Sequence, residues 1–323
     1  MDQPRRKRRS DLKKRTPRHD ENASRNAHPK LRTHLRSQRQ NRTASQHGDV
    51  GTLSSGWDRV AAWYDRLVGE EGSDYHRNVV LPAALRLLDP KPGERFIDLC
   101  CGQGVLARML IEQKAGFVVG IDASQKLITA AHQRGPVSPA LRYVVADACR
   151  LGPLADGSFD GAACVMAVQD VEDIDPLFAG IFSALRSGGR TVIVMMHPCF
   201  RIPRQSSWGW DEQKKMQYRR IDRYATPMSV PISIHPGREP GLHTTCFHRP
   251  LSAYASAICS SGLCITAIEE LMSHRLPPRG SRSRGLTRAA REIPLFLAMR
   301  ADKPDKTARP PTGFPEGNRH VNH

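Results

Sequence analysis

Long apolar runs are missing from this chain. None approaches the roughly eighteen residues that a membrane-spanning helix requires. The first fifty residues also lack the apolar stretch of a secretory signal. Aromatic residues make up only 6% of the 323, and none falls within residues 1–50. That basic segment therefore offers no platform on which nucleic-acid bases could stack. Cysteine is sparse and scattered: Cys100, Cys101, Cys149, Cys164, Cys199, Cys246, Cys259 and Cys264 form no C-x-x-C pair and no metal-ligand spacing with histidine. No metal site is expected. Reduced thiols and an intracellular, cytoplasmic protein are. Cys164 and Cys264 fall in apolar strand patterns and read as small core residues.

Negative charge is also short. There are 49 Lys and Arg against 32 Asp and Glu, a net charge of +17. The excess is concentrated at one end: residues 1–50 carry 15 basic and 5 acidic side chains. Their only large aliphatic residues before Val50 are Leu12, Leu31 and Leu35, too few to offset the entropy of ordering the segment. Residues 1–52 are expected to be a disordered basic arm. A run such as Arg5-Arg6-Lys7-Arg8-Arg9 attracts phosphate backbones or an anionic surface, although a merely solvated tail looks the same. A transit peptide would lack Asp2, Asp11, Asp20 and Glu21.

The centre of the chain is different. Phe96-Ile97-Asp98-Leu99-Cys100-Cys101-Gly102-Gln103-Gly104 reads as a buried strand, a turn with two glycines and a helix start at Val105. Two more apolar runs follow, Phe117–Ile121 ending at Asp122 and Leu141–Val145 ending near Asp147. Three strands thus each deliver a carboxylate at or near the carboxyl end, which lines the ligand crevice of an open α/β sheet. Strands are expected near 95–100, 117–121, 142–146, 159–166 and 190–196. Helices are expected near 104–114, 124–133 and 175–186, the last stopped by Gly188-Gly189. Before them, 57–89 has helical spacing, with Asp74 as a cap. This alternation implies a parallel sheet with right-handed crossovers.

Gly102-Gln103-Gly104-Val105-Leu106-Ala107 fits the dinucleotide pattern G-x-G-x-x-G/A. Asp98, four residues before Gly102, argues against a pyrophosphate because a carboxylate there repels it. It suits a ligand with an ammonium group. Asp122, eighteen residues beyond Gly104, has the spacing of an acid that accepts from ribose hydroxyls. Asp147 is placed to accept from an adenine amino group. Helix capping is the plain alternative for any one of these acids. S-adenosylmethionine satisfies all three at once.

At these residues the chain resembles the class I S-adenosylmethionine-dependent methyltransferases, especially their small-molecule branch. The matching pieces are Asp98-Leu-Cys-Cys-Gly-Gln-Gly104, Val119-Gly-Ile-Asp122, Ala146-Asp-Ala148, Phe159-Asp-Gly-Ala-Ala-Cys-Val165 and Ala184-Leu-Arg-Ser-Gly-Gly-Arg-Thr-Val-Ile-Val194. They cover roughly 95 to 197 in the family's order. The family loop usually has a third glycine where Cys100 stands. The resemblance implies a Rossmann-like, mostly parallel seven-stranded sheet, with helices on both faces and an antiparallel last strand pair. It also implies that Asp98, Cys100, Gly102 and Gly104 hold the methionine end of S-adenosylmethionine, Asp122 the ribose, and Asp147 with Ala148 the adenine. A tyrosine before the glycine loop often covers the cofactor in related enzymes. Tyr64 and Tyr75 are the candidates.

The methyltransferase domain is expected over 53–302, with residues 303–323 a disordered tail. Residues 250–261 read as a helix, 263–271 as a strand, Met272 to about Glu292 as a basic loop, and 293–300 as the last strand. Residues 197–247 show no period and read as a lid insertion over a small-molecule acceptor. Its Arg201, Arg204, Arg219, Arg220 and Arg223, beside aromatics, suit an anionic or aromatic ligand as well as a solvated face. His197 follows the fifth strand and is the best-placed general base, with an ordinary pKa of about 6.5. A backbone-bonded structural histidine is the alternative, and Asp170 is a second candidate base. The Asn-Pro-Pro-Tyr/Phe signature of amide and adenine methylation is absent. Pro198-Cys199 and Thr245-Cys246 are poorly placed for a nucleophilic cysteine. An RNA or protein methyltransferase targeted by the arm, and a non-catalytic cofactor-binding module, are the alternative functions. Oligomeric state is not legible.

Overall fold

Short apolar runs rich in β-branched residues, buried on both sides, form the parallel centre of one sheet. In the computed structural model, which describes residues 56–233 and 243–305, these are β1 (Arg95–Leu99), β2 (Phe117–Asp122), β3 (Leu141–Val145), β4 (Phe159–Val165) and β5 (Leu185–Met196). β10 (Cys264–Leu271) and β11 (Phe296–Asp302) complete the sheet as an antiparallel pair, β11 lying against β5. The order is β10-β11-β5-β4-β1-β2-β3. The order reverses between β1 and β4, so the crevice at their carboxyl ends is the topological switch point.

Strand alternation divides the core. Phe96, Val118, Val192 and Val194 face one side, with Leu81 and Leu88 of α2 (Leu81–Leu88), Leu106 and Leu110 of α3 (Val105–Glu112) and Ile128 of α4 (Gln125–Arg134). Ile97, Leu99, Val119 and Ile193 face the other, against Leu177 and Ile181 of α5 (Ile174–Ala184) and Tyr254 and Ile258 of α6 (Leu251–Ser260). Each such side chain contributes about 1.5–3 kcal/mol by leaving water. Arg190, buried on β5, closes the end of α2: it donates to the carbonyls of Leu88 and Asp89 and pairs with Glu94 at 2.6 Å. Helices on both faces, the parallel centre and the antiparallel last pair match the expected fold.

Several boundaries and segments differ from expectation. The helix expected over 175–186 ends at Ala184, and β5 begins at Leu185. Gly188, at φ +71°, turns the chain inside the strand, and its N–H donates to the Lys303 carbonyl. The basic stretch 272–292 contains α7 (Ser283–Glu292). Its inward face buries only Gly285 and Ala289, so no large apolar residue marks its period. The last strand runs 296–302 instead of 293–300. Asp74 does not cap a helix by its side chain; it pairs with Arg275 at 2.6 Å and His274 at 3.0 Å. Cys264 is exposed, because β10 is an edge strand, while Cys164 is buried as expected.

The stretch read as aperiodic holds two antiparallel hairpins. One joins β6 (Ser206–Asp211) and β7 (Met216–Ile221), the other β8 (Met228–Ser233) and β9 (His243–His248). Polar residues lie on both faces of β6 and β7, so the alternation that marks a strand is weak. Cross-strand pairs specify the first hairpin instead: Trp208 faces Arg219, whose guanidinium sits 5.1 Å from the indole ring. The expected arm (residues 1–52), residues 234–242 and 306–323 of the expected tail lie outside the described residues. Lys303, placed at the start of that tail, is instead anchored, donating to the carbonyls of Phe182 at 2.7 Å and Leu185 at 2.6 Å. No helix among the described residues is long and apolar enough to cross a membrane.

Candidate cofactor and acceptor site

The loop between β1 and α3 takes the left-handed conformation three times, at Cys100 (φ +55°), Gly102 (φ +57°) and Gly104 (φ +81°). Two of these are glycine, which adopts it without strain. Cys100 is not, and its backbone carries about 1–2 kcal/mol of strain. Its thiol is hydrogen-bonded with Cys164 and, together with burial, that contact pushes its pKa well up. Gly102 lies under the ring of Tyr64 from α1 (Ala61–Val68): an added Cβ would meet that ring at 3.2 Å.

Asp122, the last residue of β2, accepts from the Gly102 N–H at 2.9 Å and the Ser124 N–H at 2.8 Å. The acid thereby ties the glycine loop to the next strand. Burial raises its pKa, and the two N–H donors oppose the rise. Asp147 follows β3 and spends one oxygen on the Cys149 N–H at 2.8 Å; its side chain is 39% exposed. Ala148 beside it is buried.

Asp98 is the unusual group. Its side chain points to the α3 side of the sheet and is only 2% exposed. Burial, then the charge of Asp122, push its pKa up to about 8, while the Ala107 N–H opposes this. Its Oδ2 has no hydrogen-bond partner among the described residues. Once ionised, a buried carboxylate oxygen without a partner costs about 1–3 kcal/mol or more, so the carboxylate form calls for a donor from outside the chain. An ammonium group supplies one, and a phosphate does not. The donor and acceptor chemistry of this loop therefore fits S-adenosylmethionine.

Other residues of the site carried no signal in the sequence. Asp58 accepts from the Ser124 hydroxyl at 2.6 Å, and Ser124 in turn caps α4 through the Leu127 N–H at 3.2 Å. Gln103, also buried, donates to the Gly69 carbonyl. Arg108 holds Gln103 at 2.9 Å and the Glu70 carbonyl at 2.7 Å. Together they fasten the end of α1 over the loop. Sequence offered no hint of these, since Gly69 and Gln103 are 34 residues apart. Of the two candidate tyrosines, Tyr64 reaches the loop. Its hydroxyl pKa is raised by burial and by the charges of Asp122, Asp170 and Asp98. Tyr75 lies elsewhere, bonded to Ser273 at 3.0 Å and packed on His274 and Phe296.

His197 is 1% exposed and both ring nitrogens are engaged. Nε2 lies 3.0 Å from Glu270, and Nδ1 accepts the Cys199 N–H at 3.2 Å. Burial lowers its pKa, partly offset by Glu270. A neutral ring in this setting has no free lone pair, so the geometry supports the structural alternative over the general base.

Asp170 has the opposite character. It sits in a single helical turn, Val168–Asp170, just past β4, where Met166 holds φ +59° and the Gln169 Oε1 is buried without a partner. Burial pushes its pKa up to about 8, with a bond to Gln169 opposing. Burial lifts Cys246 to about 12, and Cys199 bonds with Tyr224.

A family model described as a methyltransferase domain matches residues 97–193. An S-adenosylmethionine dependent methyltransferase of known structure from Mesorhizobium loti is 30% identical, with a TM-score of 0.54 over 68% of this chain and 96% of that one. The 2-phytyl-1,4-naphtoquinone methyltransferase of Synechococcus elongatus is 34% identical over 146 residues, 44% of this chain and 62% of that protein. The demethylmenaquinone methyltransferase of Beutenbergia cavernae is 30% identical over 157 residues, 48% and 58% respectively. The chain thus spans less than two thirds of the length of either quinone-named relative.

Proposed function

Because the chain belongs to the class I S-adenosylmethionine-dependent methyltransferases, we propose that it transfers a methyl group to a small-molecule acceptor. The observation that carries this reading is the buried Asp98 carboxyl, one oxygen of which has no partner among the described residues, beside a left-handed glycine loop. When bound, S-adenosylmethionine supplies the methyl group from its sulfonium centre.

The residues of the chain bind, orient and take a proton. Asp98 receives the ammonium end, and Cys100, Gly102 and Gly104 allow close backbone approach. Asp122 has lone pairs left for the ribose hydroxyls, and Asp147 with Ala148 borders the adenine. Tyr64 covers the loop and excludes water. His197, pinned by Glu270, positions the turn after β5. The second hairpin serves as part of a lid. Its foot is clamped where Arg249 donates to the carbonyls of Val171, at 2.9 Å, and Glu172, immediately after Asp170. The relatives are named for naphthoquinone and menaquinone compounds, so this is the acceptor class to screen first. The eight free thiols agree with a reducing, cytoplasmic setting.

Calorimetric titration of the full chain with S-adenosylhomocysteine and, separately, NADH tests the reading. Micromolar binding of the first alone, lost in Asp122→Ala, is expected. Binding of NADH, or of neither compound, would sink it.

Asp170 is the proposed base, accepting the acceptor's proton as the methyl group arrives. A carboxyl that titrates at about 8 is protonated and idle at pH 6. Turnover is therefore expected to climb about tenfold per pH unit below that value and level off above it. Asp170→Asn should lower kcat by about 10²–10⁴-fold and leave S-adenosylhomocysteine affinity intact. A flat pH profile in the native chain, or full activity in the variant, would remove Asp170 from the mechanism.

A further inference from the structure

Half-buried arginines among the described residues have an acid or a carbonyl to bind, with one exception. Arg134 lies 2.8 Å from Asp65, Arg190 2.6 Å from Glu94 and Arg300 2.8 Å from Asp302. Arg201 is comparably withdrawn from water, yet among the described residues its guanidinium has no ion pair and no hydrogen bond. Its electrostatic neighbours are the Tyr75 hydroxyl and a second cation, Arg219.

That second cation is committed to the structure. Arg219 donates to the Phe200 carbonyl at 2.6 Å and the Ser206 hydroxyl at 2.6 Å, and stacks on Trp208. Arg201 is held in place by its backbone, whose N–H donates to the His197 carbonyl at 2.8 Å. The buried His197 ring stabilises the same turn from below. The chain therefore holds Arg201 just past the carboxyl end of β5, the end of the sheet that lines the crevice, and gives its guanidinium no partner among the described residues. Withdrawing an unpaired charge from water is unfavourable, and a like charge nearby adds to it. A guanidinium is also the side chain whose fork of donors matches a carboxylate or phosphate with two parallel bonds.

We infer that Arg201 is the anchor of the acceptor pocket and that the acceptor carries an oxyanion, a carboxylate or a phosphate. This rests on the methyltransferase reading and sharpens it: among the aromatic acceptors to be screened, those that carry an anionic group are favoured. Tyr75, packed on Phe296 and His274, forms an aromatic wall beside the anchor.

Arg201→Met provides the test, since it keeps the length and packing of the stem and removes the charge. Melting of the full chain is followed with S-adenosylhomocysteine present and with benzoate, inorganic phosphate or neutral benzamide added at matched ionic strength. The native chain is expected to gain several degrees, saturably, from at least one anion and nothing from benzamide. The anion with the larger effect identifies the group. Arg201→Met should lose that gain and, without additives, melt no lower than the native chain. Its S-adenosylhomocysteine affinity should stay within about twofold.

Equal anion effects in both proteins, as binding elsewhere on this basic chain would give, would overturn the inference. So would no anion effect in the native chain, or a lower melting point for the variant, which would make the guanidinium a structural piece. If the native chain fails to bind S-adenosylhomocysteine, the methyltransferase reading falls by itself. The anion comparison is then made on the chain alone.

Discussion

Asp98→Asn is expected to weaken S-adenosylhomocysteine binding by about 10–150-fold, while the free protein stays as stable at pH 7 or becomes more so. The first half follows from the charge. A hydrogen bond to an ionised group contributes roughly 1.5–3 kcal/mol, and Asn offers the ligand's ammonium only a neutral carbonyl. The second half follows from burial, because Asp98 is 2% exposed with an unbonded oxygen and gives the ligand-free chain little in return. Calorimetry and thermal melts of the two proteins check both halves.

The pH behaviour is a sharper signature. Asp98 keeps its proton up to about pH 8 in the folded chain, whereas an unfolded aspartate loses it near 4. Between those values the folded state binds more protons than the unfolded one, so the contribution of this group to stability falls as pH rises. Asn removes that part of the slope. The ligand's ammonium needs the carboxylate, so binding below pH 8 must expel the proton. Affinity should rise with pH up to about 8, and the heat of binding at pH 7 should vary with the ionisation enthalpy of the buffer. Both effects should disappear in Asp98→Asn. A variant that binds as tightly as the native chain would show that the acid is not at the cofactor.

Gly104→Ala is expected to destabilise the fold by about 3 kcal/mol, a drop in melting temperature on the order of 10 °C for a domain of this size. Two costs combine. At φ +81° any side chain is strained, by about 1–2 kcal/mol. The new Cβ would also lie 2.6 Å from Cζ of Tyr143. That ring cannot retreat. It is buried, its hydroxyl bonds the Gly104 carbonyl at 3.3 Å, and its other side lies so close to Gly120 that a Cβ there would meet it at 2.8 Å. Overpacking of this kind costs about 1–3 kcal/mol.

Gly93 separates the two terms. It has nearly the same φ, +83°, but nothing lies within 4 Å of its missing Cβ. Gly93→Ala should therefore show the backbone cost alone, and Tyr143→Leu should recover only the steric part in a double-mutant cycle with Gly104→Ala. Equal melting points for Gly93→Ala and Gly104→Ala would refute the packing argument.

The sheet was legible because its signal is local. A parallel strand buried on both faces is a short apolar run, and Phe96–Leu99, interrupted only by Asp98, Phe117–Ile121 and Val192–Met195 are such runs, punctuated by glycine and aspartate. The acids at or near the ends of β1, β2 and β3 were legible for the same reason, since a residue at the end of a strand is known once the strand is. Reading stopped where burial depends on small or polar residues. α7 turns Gly285 and Ala289 inward and offers no periodic large residue. β6 and β7 carry polar groups on both faces, so their pairing is decided by a cross-strand partner such as Trp208 with Arg219.

The sequence alone thus determined the fold class, the order of strands and helices in the core, and the family to which the chain is similar. These depend on hydrophobic period and turn chemistry, which each segment carries within itself. The tertiary structure alone decided which polar atoms find partners. It occupied both nitrogens of His197, clamped Gln103 and Arg108 over the glycine loop, left an oxygen of Asp98 unbonded and gave Arg201 no acid. Whether a buried group is satisfied depends on segments far apart in the chain meeting within about 3 Å, and no local pattern encodes that distance.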